Sequence, residues 1–205
     1  MENKSKNAWD NYNDNSTKYL SDYKKLYFSN VHRQFIRFLP KDTNSKILDI
    51  GCGSGRDALA LAKRGYKVTA IEPSTRMLQL AKENSNHRNI KWLNDSLPYL
   101  STLGQETYDF ILLSAVWMHI APYERGAALN RISSLMSVGS HVAITLRLGT
   151  PDPARIMYPI FTDDFLALAA KANLVPLYTS KTTKDSLNRC GVSWKKIVLQ
   201  KYIPT

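Results

Sequence analysis

The stretch Lys46–Asp57, Lys-Ile-Leu-Asp-Ile-Gly-Cys-Gly-Ser-Gly-Arg-Asp, constrains this chain more than any other. Ile47, Leu48 and Ile50 read as a short buried strand, Gly51, Gly53 and Gly55 as a turn, and Asp57 as the opening of a helix. Glycine at alternate positions lets the backbone turn sharply and lets a ligand approach without a Cβ in the way. The free N–H groups of a helix N-terminus follow at once.

The rest of the chain alternates strand and helix. Lys46–Ile50 is strand one, followed by a helix over Asp57–Arg64 that Gly65 closes. Lys67–Ile71 is strand two and ends in Glu72-Pro73; Ser74 or Thr75 caps a helix to about Asn84 with Met77, Leu78 and Ala81 inward. Strands follow at Ile90–Leu93 and Asp109–Ser114, the latter apolar through Phe110–Leu113 as a strand buried on both faces should be. A helix over Tyr123–Met136, a turn at Gly139, a strand over His141–Leu146 and a helix over Thr162–Ala172 come next. Leu174–Ser180 and Trp194–Tyr202 read as two last strands, joined by Lys181–Val192 without a helix signal. Ahead of the first strand, helices are expected over Thr17–Lys24 and Asn30–Leu39, with Val31, Phe35, Phe38 and Leu39 as a core face ended by Pro40. This alternation means an α/β fold with a mainly parallel sheet. At 205 residues the chain fits one domain, 1–205, with 1–45 as a helical segment ahead of a core over 46–205.

The turn alone leaves several ligands open, including none. A dinucleotide fingerprint spaces its glycines G-x-G-x-x-G and seats a pyrophosphate on the helix N-terminus. Here the spacing is G-x-G-x-G, and Asp49 at the strand end would repel a pyrophosphate and attract a cation, such as the ammonium group of S-adenosylmethionine. Glu72 stands 21 residues after Gly51, where an acid in nucleotide folds hydrogen-bonds ribose hydroxyls. Asp95-Ser96-Leu97 follows strand three.

Lys46–Asp57 closely resembles motif I of the class I S-adenosylmethionine-dependent methyltransferases, and the resemblance runs from about Lys46 to Leu146. It implies S-adenosylmethionine as cofactor and a Rossmann-like, doubly wound, seven-stranded sheet of order 3-2-1-4-5-7-6 with strand seven antiparallel. It also implies an N-terminal helical lid, supplied here by residues 1–45 with Trp9, Tyr12, Tyr19, Tyr23, Tyr27 and Phe28. The implied cofactor shell begins with Asp49, Gly51, Cys52, Gly53, Gly55, Arg56 and Asp57. Glu72, Pro73 and Met77 follow, then Asp95 to accept from the adenine amino group with Ser96 and Leu97 beside the ring, then Ser114, Ala115 and Trp117.

The loop after strand four, Ser114-Ala115-Val116-Trp117-Met118-His119, lacks the Pro-Pro-aromatic motif of adenine-N6 and cytosine-N4 DNA enzymes. It also lacks the Pro-Cys nucleophile of cytosine-C5 enzymes and the acids of the metal-dependent catechol type; no metal is expected. What remains resembles the small-molecule branch, in which a His often follows this strand, and His119 matches. An imidazole there can take a proton from a nucleophile; a helix-start His satisfied by backbone is the plainer alternative. Arg147 can pair bidentately with an acceptor's carboxylate or phosphate, Tyr158 lies where substrate should enter, and Arg147–Ile160 is a candidate substrate wall.

The function expected is therefore in-line methyl transfer to a small polar or anionic acceptor. The net charge of +11 and pI near 9.6 keep an RNA or ribosome methyltransferase as an alternative, and a cofactor-binding module without independent catalysis is a second. Six Lys/Arg against one acid over 181–205 are scattered and form no basic tail. Residues 1–6 are polar and lack the apolar core of a signal peptide, and no apolar run approaches a bilayer span, so no membrane partner and a cytoplasmic setting are expected. Cys52 and Cys190, the two cysteines, form no metal-binding pattern.

Overall fold

A computed structural model describes residues 7–202; the polar stretch 1–6, and with it the start of the expected lid, lies outside the described residues, as do residues 203–205. Three short helices come first: α1 (Asp10–Asp14), α2 (Ser16–Lys24) and α3 (Phe28–Val31). The alternation then runs β1 (Lys46–Ile50), α4 (Arg56–Ala62), β2 (Lys67–Ile71), α5 (Thr75–Asn84), β3 (Ile90–Leu93), β4 (Tyr108–Leu113) and α6 (Arg125–Ser134). It ends with β5 (Met136–Leu148), α7 (Thr162–Lys171), β6 (Leu174–Thr179), β7 (Thr183–Lys184) and β8 (Ser193–Lys201).

The strands form one sheet of order β3-β2-β1-β4-β5-β8-β6, with the two-residue β7 paired to β8. β1 through β5 are parallel, and β8 runs antiparallel to β5 and β6. This is the expected order with its antiparallel strand; the eighth strand is the small addition β7. β1 and β4 are mostly apolar, through Ile47, Leu48 and Ile50 and through Phe110–Leu113, because both faces are covered. On one face α3 and α4 bring Phe28, Ala58, Leu61 and Ala62 against Ile47, Val68, Phe110 and Val198. On the other, α6 and α7 bring Leu129, Ile132, Phe165 and Ala169 against Ile111, Leu113, Ile144 and Ile197. A parallel sheet gathers the carboxyl ends of β1 to β5 along one edge, where such folds bind ligands.

Four local expectations are corrected. The helix over Asn30–Leu39 is interrupted: α3 stops at Val31, His32 leaves helical geometry (φ −112°, ψ 21°), and Ile36–Phe38 is a 3-10 turn. His32 and Phe35 are both drawn fully into the interior, and the Phe35 N–H closes a tight turn on the His32 carbonyl (2.8 Å). α1 has no counterpart in the sequence reading; its five residues bury none of themselves completely and are held by polar contacts to the core. The helix expected over Tyr123–Met136 is shorter, because Tyr123 is exposed on a 3-10 turn and Met136 pairs with Tyr108 in the sheet. Gly139 is not a turn between elements: it lies inside β5 with φ 75°, where the register against β4 shifts between Tyr108 and Phe110. Among the described residues no helix is long and apolar enough to cross a membrane.

Candidate active site

A cavity of about 790 Å³ opens along the carboxyl edge of the sheet. One wall is the turn after β1. Gly51, Gly53 and Gly55 all have positive φ (69°, 54° and 76°). At Gly51 a Cβ would stand 2.4 Å from Val116 Cγ2, so only glycine lets the β1 and β4 loops meet this closely. Gly55 occupies the left-handed position that starts α4, and its Cβ would strike Trp92 at 2.7 Å.

Glu72, buried at the end of β2, clamps this turn: Oε2 accepts from the Gly53 N–H (2.8 Å) and Oε1 from the Ser74 N–H (2.9 Å). Burial pushes its carboxyl up to about 7 against those two hydrogen bonds. Ser74 caps α5, its hydroxyl accepting from the Met77 N–H (3.1 Å) and donating to Asn13 Oδ1 (2.8 Å), which ties the N-terminal helices to the core. Asp95 organises its own loop: Oδ1 accepts from the Ser96 N–H, and Oδ2 from both the N–H and hydroxyl of Thr102, each at 2.7 Å. Asp57 accepts from His32 Nε2 (2.9 Å) and from Arg56 Nε and Nη2 (2.7 and 2.6 Å). Burial would raise the Asp57 carboxyl, but Arg56 and His32 more than offset it and hold it far below the usual carboxylate range.

Asp49 sits behind the turn, 1% exposed, with Oδ2 lacking any protein partner among the described residues. Burial first, then Asp57 and Glu72, push its carboxyl well up. An unpartnered buried carboxylate oxygen is costly. Here it stands beside glycines that leave backbone open to the cavity, with Glu72 alongside. A cationic ligand bearing ribose hydroxyls fits these carboxylate acceptors; a pyrophosphate does not.

The opposite wall is assembled from distant segments. His119 ends a 3-10 turn after β4. Its Nδ1–H donates to the Ile156 carbonyl (2.8 Å), which leaves Nε2 to accept from the Tyr12 hydroxyl of α1 (2.9 Å). Burial lowers the imidazole to about 4. Burial likewise raises the Tyr12 phenol well above its usual value, so both groups are neutral near pH 7. Arg155 donates to the Tyr12 oxygen (3.0 Å) and to Asp152 Oδ2 (3.2 Å). Tyr12 and Tyr19 pack at 4.6 Å between centroids, and Tyr19 and Tyr23 stack at 6.0 Å. The β7–β8 connection folds around buried Asp185, which accepts from Arg189 Nη2 (2.7 Å) and Nε (2.9 Å), Trp194 Nε1 (2.7 Å) and the backbone of Leu187 and Arg189.

Of the residues singled out in the sequence, Gly51, Cys52, Gly53, Arg56, Asp57, Glu72 and Pro73 line the cavity. So do Asp95, Ser96, Leu97, Ser114, Ala115, His119 and Tyr158. Five do not. Asp49, Gly55 and Met77 stand behind the wall, Trp117 packs edge-on against Phe165 in the core (5.2 Å), and Arg147 turns away with Nη1 on the Thr150 carbonyl (2.9 Å). Arg155 stands on the wall where Arg147 was expected. Ala115 has a positive φ of 62° and is held by its N–H donating to Thr145 Oγ1 (2.7 Å). Arg155 falls within the expected wall Arg147–Ile160 but was not singled out there; Thr145, Lys184, Asp185, Arg189 and Lys196 were missed, and for the last four the polar and basic residues over 181–201 were the available signal. Among the described residues no group of three His, Cys, Asp or Glu side chains is placed to hold a metal.

A family model described as a methyltransferase domain matches residues 47–139. The Haemophilus influenzae protein named probable S-adenosyl-L-methionine-dependent methyltransferase TehB is 25% identical over 130 residues, which are 63% of this chain and 45% of that protein. The chain thus spans less than half the length of that curated relative. Among solved structures, a TehB-like SAM-dependent methyltransferase from Corynebacterium glutamicum superposes with a TM-score of 0.70 at 20% identity, covering 93% of this chain and 98% of that one. The phosphoethanolamine N-methyltransferase 2 of Haemonchus contortus, solved with phosphomonomethylethanolamine and S-adenosylhomocysteine, gives 0.74 at 17% identity over 98% of this chain and 61% of that one.

Proposed function

We propose that this chain, which belongs to the class I S-adenosylmethionine-dependent methyltransferases, transfers the methyl group of S-adenosylmethionine to a small polar or anionic acceptor. The observation that carries the reading is one cavity with two unlike walls: the glycine turn with Glu72 and Asp95 on one side, His119, Tyr12 and Arg155 on the other. The small-molecule ligand of the Haemonchus neighbour supports it. The net charge of +11 favours an RNA acceptor instead, but the wall includes Trp9, Tyr12 and Tyr23 of the N-terminal segment, which suits a covered pocket better than a basic trough. A free, exposed Cys190 suits a reducing, cytoplasmic setting.

The cofactor supplies a methyl group on a cationic sulfur, already activated toward displacement. This chain's residues then have to bind, orient and exclude water. Glu72 accepts from ribose hydroxyls, and Asp49 behind the turn, its carboxyl raised by burial, ionises as the cationic end of the cofactor approaches. Ser96, Leu97 and Pro98 flank the adenine, with Asp95 shaping their loop. The segment before Lys46 acts as a lid, latched by Tyr12 to His119 and by Asn13 to the start of α5.

His119 is fixed in one tautomer with its Nε2 lone pair on the cavity side. At a pKa of about 4 it is a weak base. Its role in this reading is to accept a hydrogen bond from the acceptor's nucleophile in place of Tyr12 and so aim its lone pair at the methyl. Tyr158 closes that side.

The test is direct. Calorimetry should give saturable binding of S-adenosylmethionine and S-adenosylhomocysteine and none of NAD. With a panel of small anionic and polar acceptors, S-adenosylhomocysteine should accumulate for at least one. Tight NAD binding without adenosylmethionine binding defeats the assignment; turnover on structured RNA alone transfers it to the other branch.

A further inference from the structure

We propose that Thr145 is a positioning residue that joins the two walls of the cavity: its hydroxyl holds Ala115 in a left-handed turn, and that turn fixes the loop after β4 against both the glycine turn and His119. The proposal deepens the methyl-transfer reading and rests on it.

Among the described residues, Leu100, Ala115, Asn173 and Asn188 have positive φ without being glycine. Asparagine visits the left-handed region readily, and Leu100 is fully buried and forms no part of the cavity wall. Ala115 does line the cavity, at φ 62°. A left-handed alanine carries its Cβ too close to the following carbonyl oxygen, a strain that persists only where the surroundings hold it. The facing wall uses glycine for the same purpose, at Gly51, Gly53 and Gly55. Alanine at 115 therefore makes this turn depend on a partner.

The partner comes from the neighbouring strand. Leu113 pairs with Ile144, so Thr145 stands beside Ser114, one residue past the last pair of β4 and β5. Thr145 is 4% exposed, and its Oγ1 accepts from the Ala115 N–H at 2.7 Å. A β-branched side chain is stiff at χ1, which suits a fixed acceptor.

Two contacts hang on the turn. Val116 lies directly over Gly51, where a Cβ would stand 2.4 Å from Val116 Cγ2. The Val116 carbonyl then accepts from the His119 N–H (2.9 Å) and closes the 3-10 turn Trp117–His119. β4 is fixed on one side, and Trp117 is pinned against Phe165 on the other (5.2 Å). A change of φ at Ala115 must then be absorbed between Ser114 and Val116, at the contact with Gly51. One hydroxyl on β5 thus sets how the glycine turn stands to the imidazole. In-line transfer needs that relation held closely, since a misplacement of about 1 Å can cost a hundredfold in rate. Without the hydroxyl, Ala115 relaxes toward negative φ. Only the fraction of chains that keeps the turn then presents the intact wall, and ligand affinity falls by that fraction.

The full chain is titrated with S-adenosylhomocysteine as wild type, Thr145→Val, Thr145→Ser, Ala115→Gly and Thr145→Val/Ala115→Gly, with thermal midpoints measured alongside. Thr145→Val should weaken binding about tenfold, the shift that the strain of a left-handed alanine can drive. Thr145→Ser keeps the hydroxyl and should stay within about twofold of the wild type. Glycine adopts the turn without strain, so Thr145→Val added to Ala115→Gly should weaken binding no more than about twofold. The thermal midpoint should drop on Thr145→Val in both backgrounds, because the backbone N–H loses its acceptor in each. Thr145→Ala also removes the hydroxyl and gives the same reading if Thr145→Val does not fold. Affinity unchanged in Thr145→Val, an equal loss in both backgrounds, or an equal loss in Thr145→Ser overturns the proposal alone. Absence of S-adenosylhomocysteine binding in the wild type overturns the methyl-transfer reading and the proposal with it.

Discussion

The two ends of the cavity are built by different means. At the β1–β3 end the acidic groups sit at or just past strand ends, and Glu72 and Asp95 are anchored to backbone N–H groups: Glu72 to Gly53 and Ser74, Asp95 to Ser96 and Thr102. At the β5–β8 end the anchors are mostly side chain to side chain: Tyr12 to His119 and Arg155 to Tyr12 across more than a hundred residues, Trp194 and Arg189 to Asp185 within one connection. Backbone anchors follow from strand and turn geometry and constrain few residue identities. Side-chain anchors need particular residues at both partners, so a few substitutions there reshape the pocket while the cofactor end stays intact.

The sharpest way to break this contrast is Glu72→Ala. It removes two backbone clamps and the acceptor proposed for ribose, so S-adenosylhomocysteine affinity should fall by about 2–4 kcal/mol in calorimetry. A loss under fivefold would mean the cofactor end does not depend on its strand-end acid. Asp185→Ala probes the other end. It strands Arg189 and Trp194 Nε1 and should lower unfolding stability by about 2–3 kcal/mol in urea, with S-adenosylhomocysteine affinity within twofold. Burial would raise Asp185, but Arg189 and Trp194 more than offset it and hold it well below its ordinary value. Its contribution is thus complete above that ordinary value and fades as pH drops toward the folded one.

Glu72 behaves in the opposite sense. Its folded value of about 7 lies above the ordinary 4.5. The ligand-free chain therefore loses stability as pH rises from the ordinary value through the folded one, then levels off. A ribose donating to the ionised carboxylate favours that form, so cofactor affinity should climb up to about tenfold between roughly pH 6 and 8, and the climb should vanish in Glu72→Gln. A flat wild-type profile would remove Glu72 from the binding role. The smallest effect is expected for Tyr12→Phe, which leaves His119 Nε2 without its partner: about 1 kcal/mol of stability and little change in cofactor affinity. A change as large as that of Glu72→Ala would assign the lid to the cofactor end.

The same contrast explains what could be read from sequence. The strand–glycine–helix unit, Glu72 and Asp95 announce themselves because apolar periodicity and glycine spacing are local signals. The sheet order came through resemblance and is present. The helix over Asn30–Leu39 misled because its apolar spacing was helical, whereas His32 is drawn inward to Asp57 and breaks it. α1 carries no apolar period to detect. Arg147 and Arg155 exchange places because which arginine of a loop faces a cavity depends on the loop's path, here set by Arg155 reaching Tyr12 across a separation of 143 residues. Lys184, Asp185 and Lys196 reach the cavity wall through β7–β8 and β5–β8 pairing, which the basic composition of 181–201 hints at but cannot place.

The placement of β8 between β5 and β6 sets a timetable for folding. β6 precedes β8 in the chain yet pairs with nothing else in the sheet, so its Val175 and Leu177 edge must wait for the segment made after it. Closing His141 onto Gln200 requires a long loop, whose entropy is lost before any contact repays it. The β1–β4 half, with its short crossovers, can form first and present a finished edge on β4 and β5. In refolding, fluorescence from Trp92 on β3 should settle before that from Trp194 on β8, and the interval between them is when the unpaired β6 edge is open to other chains.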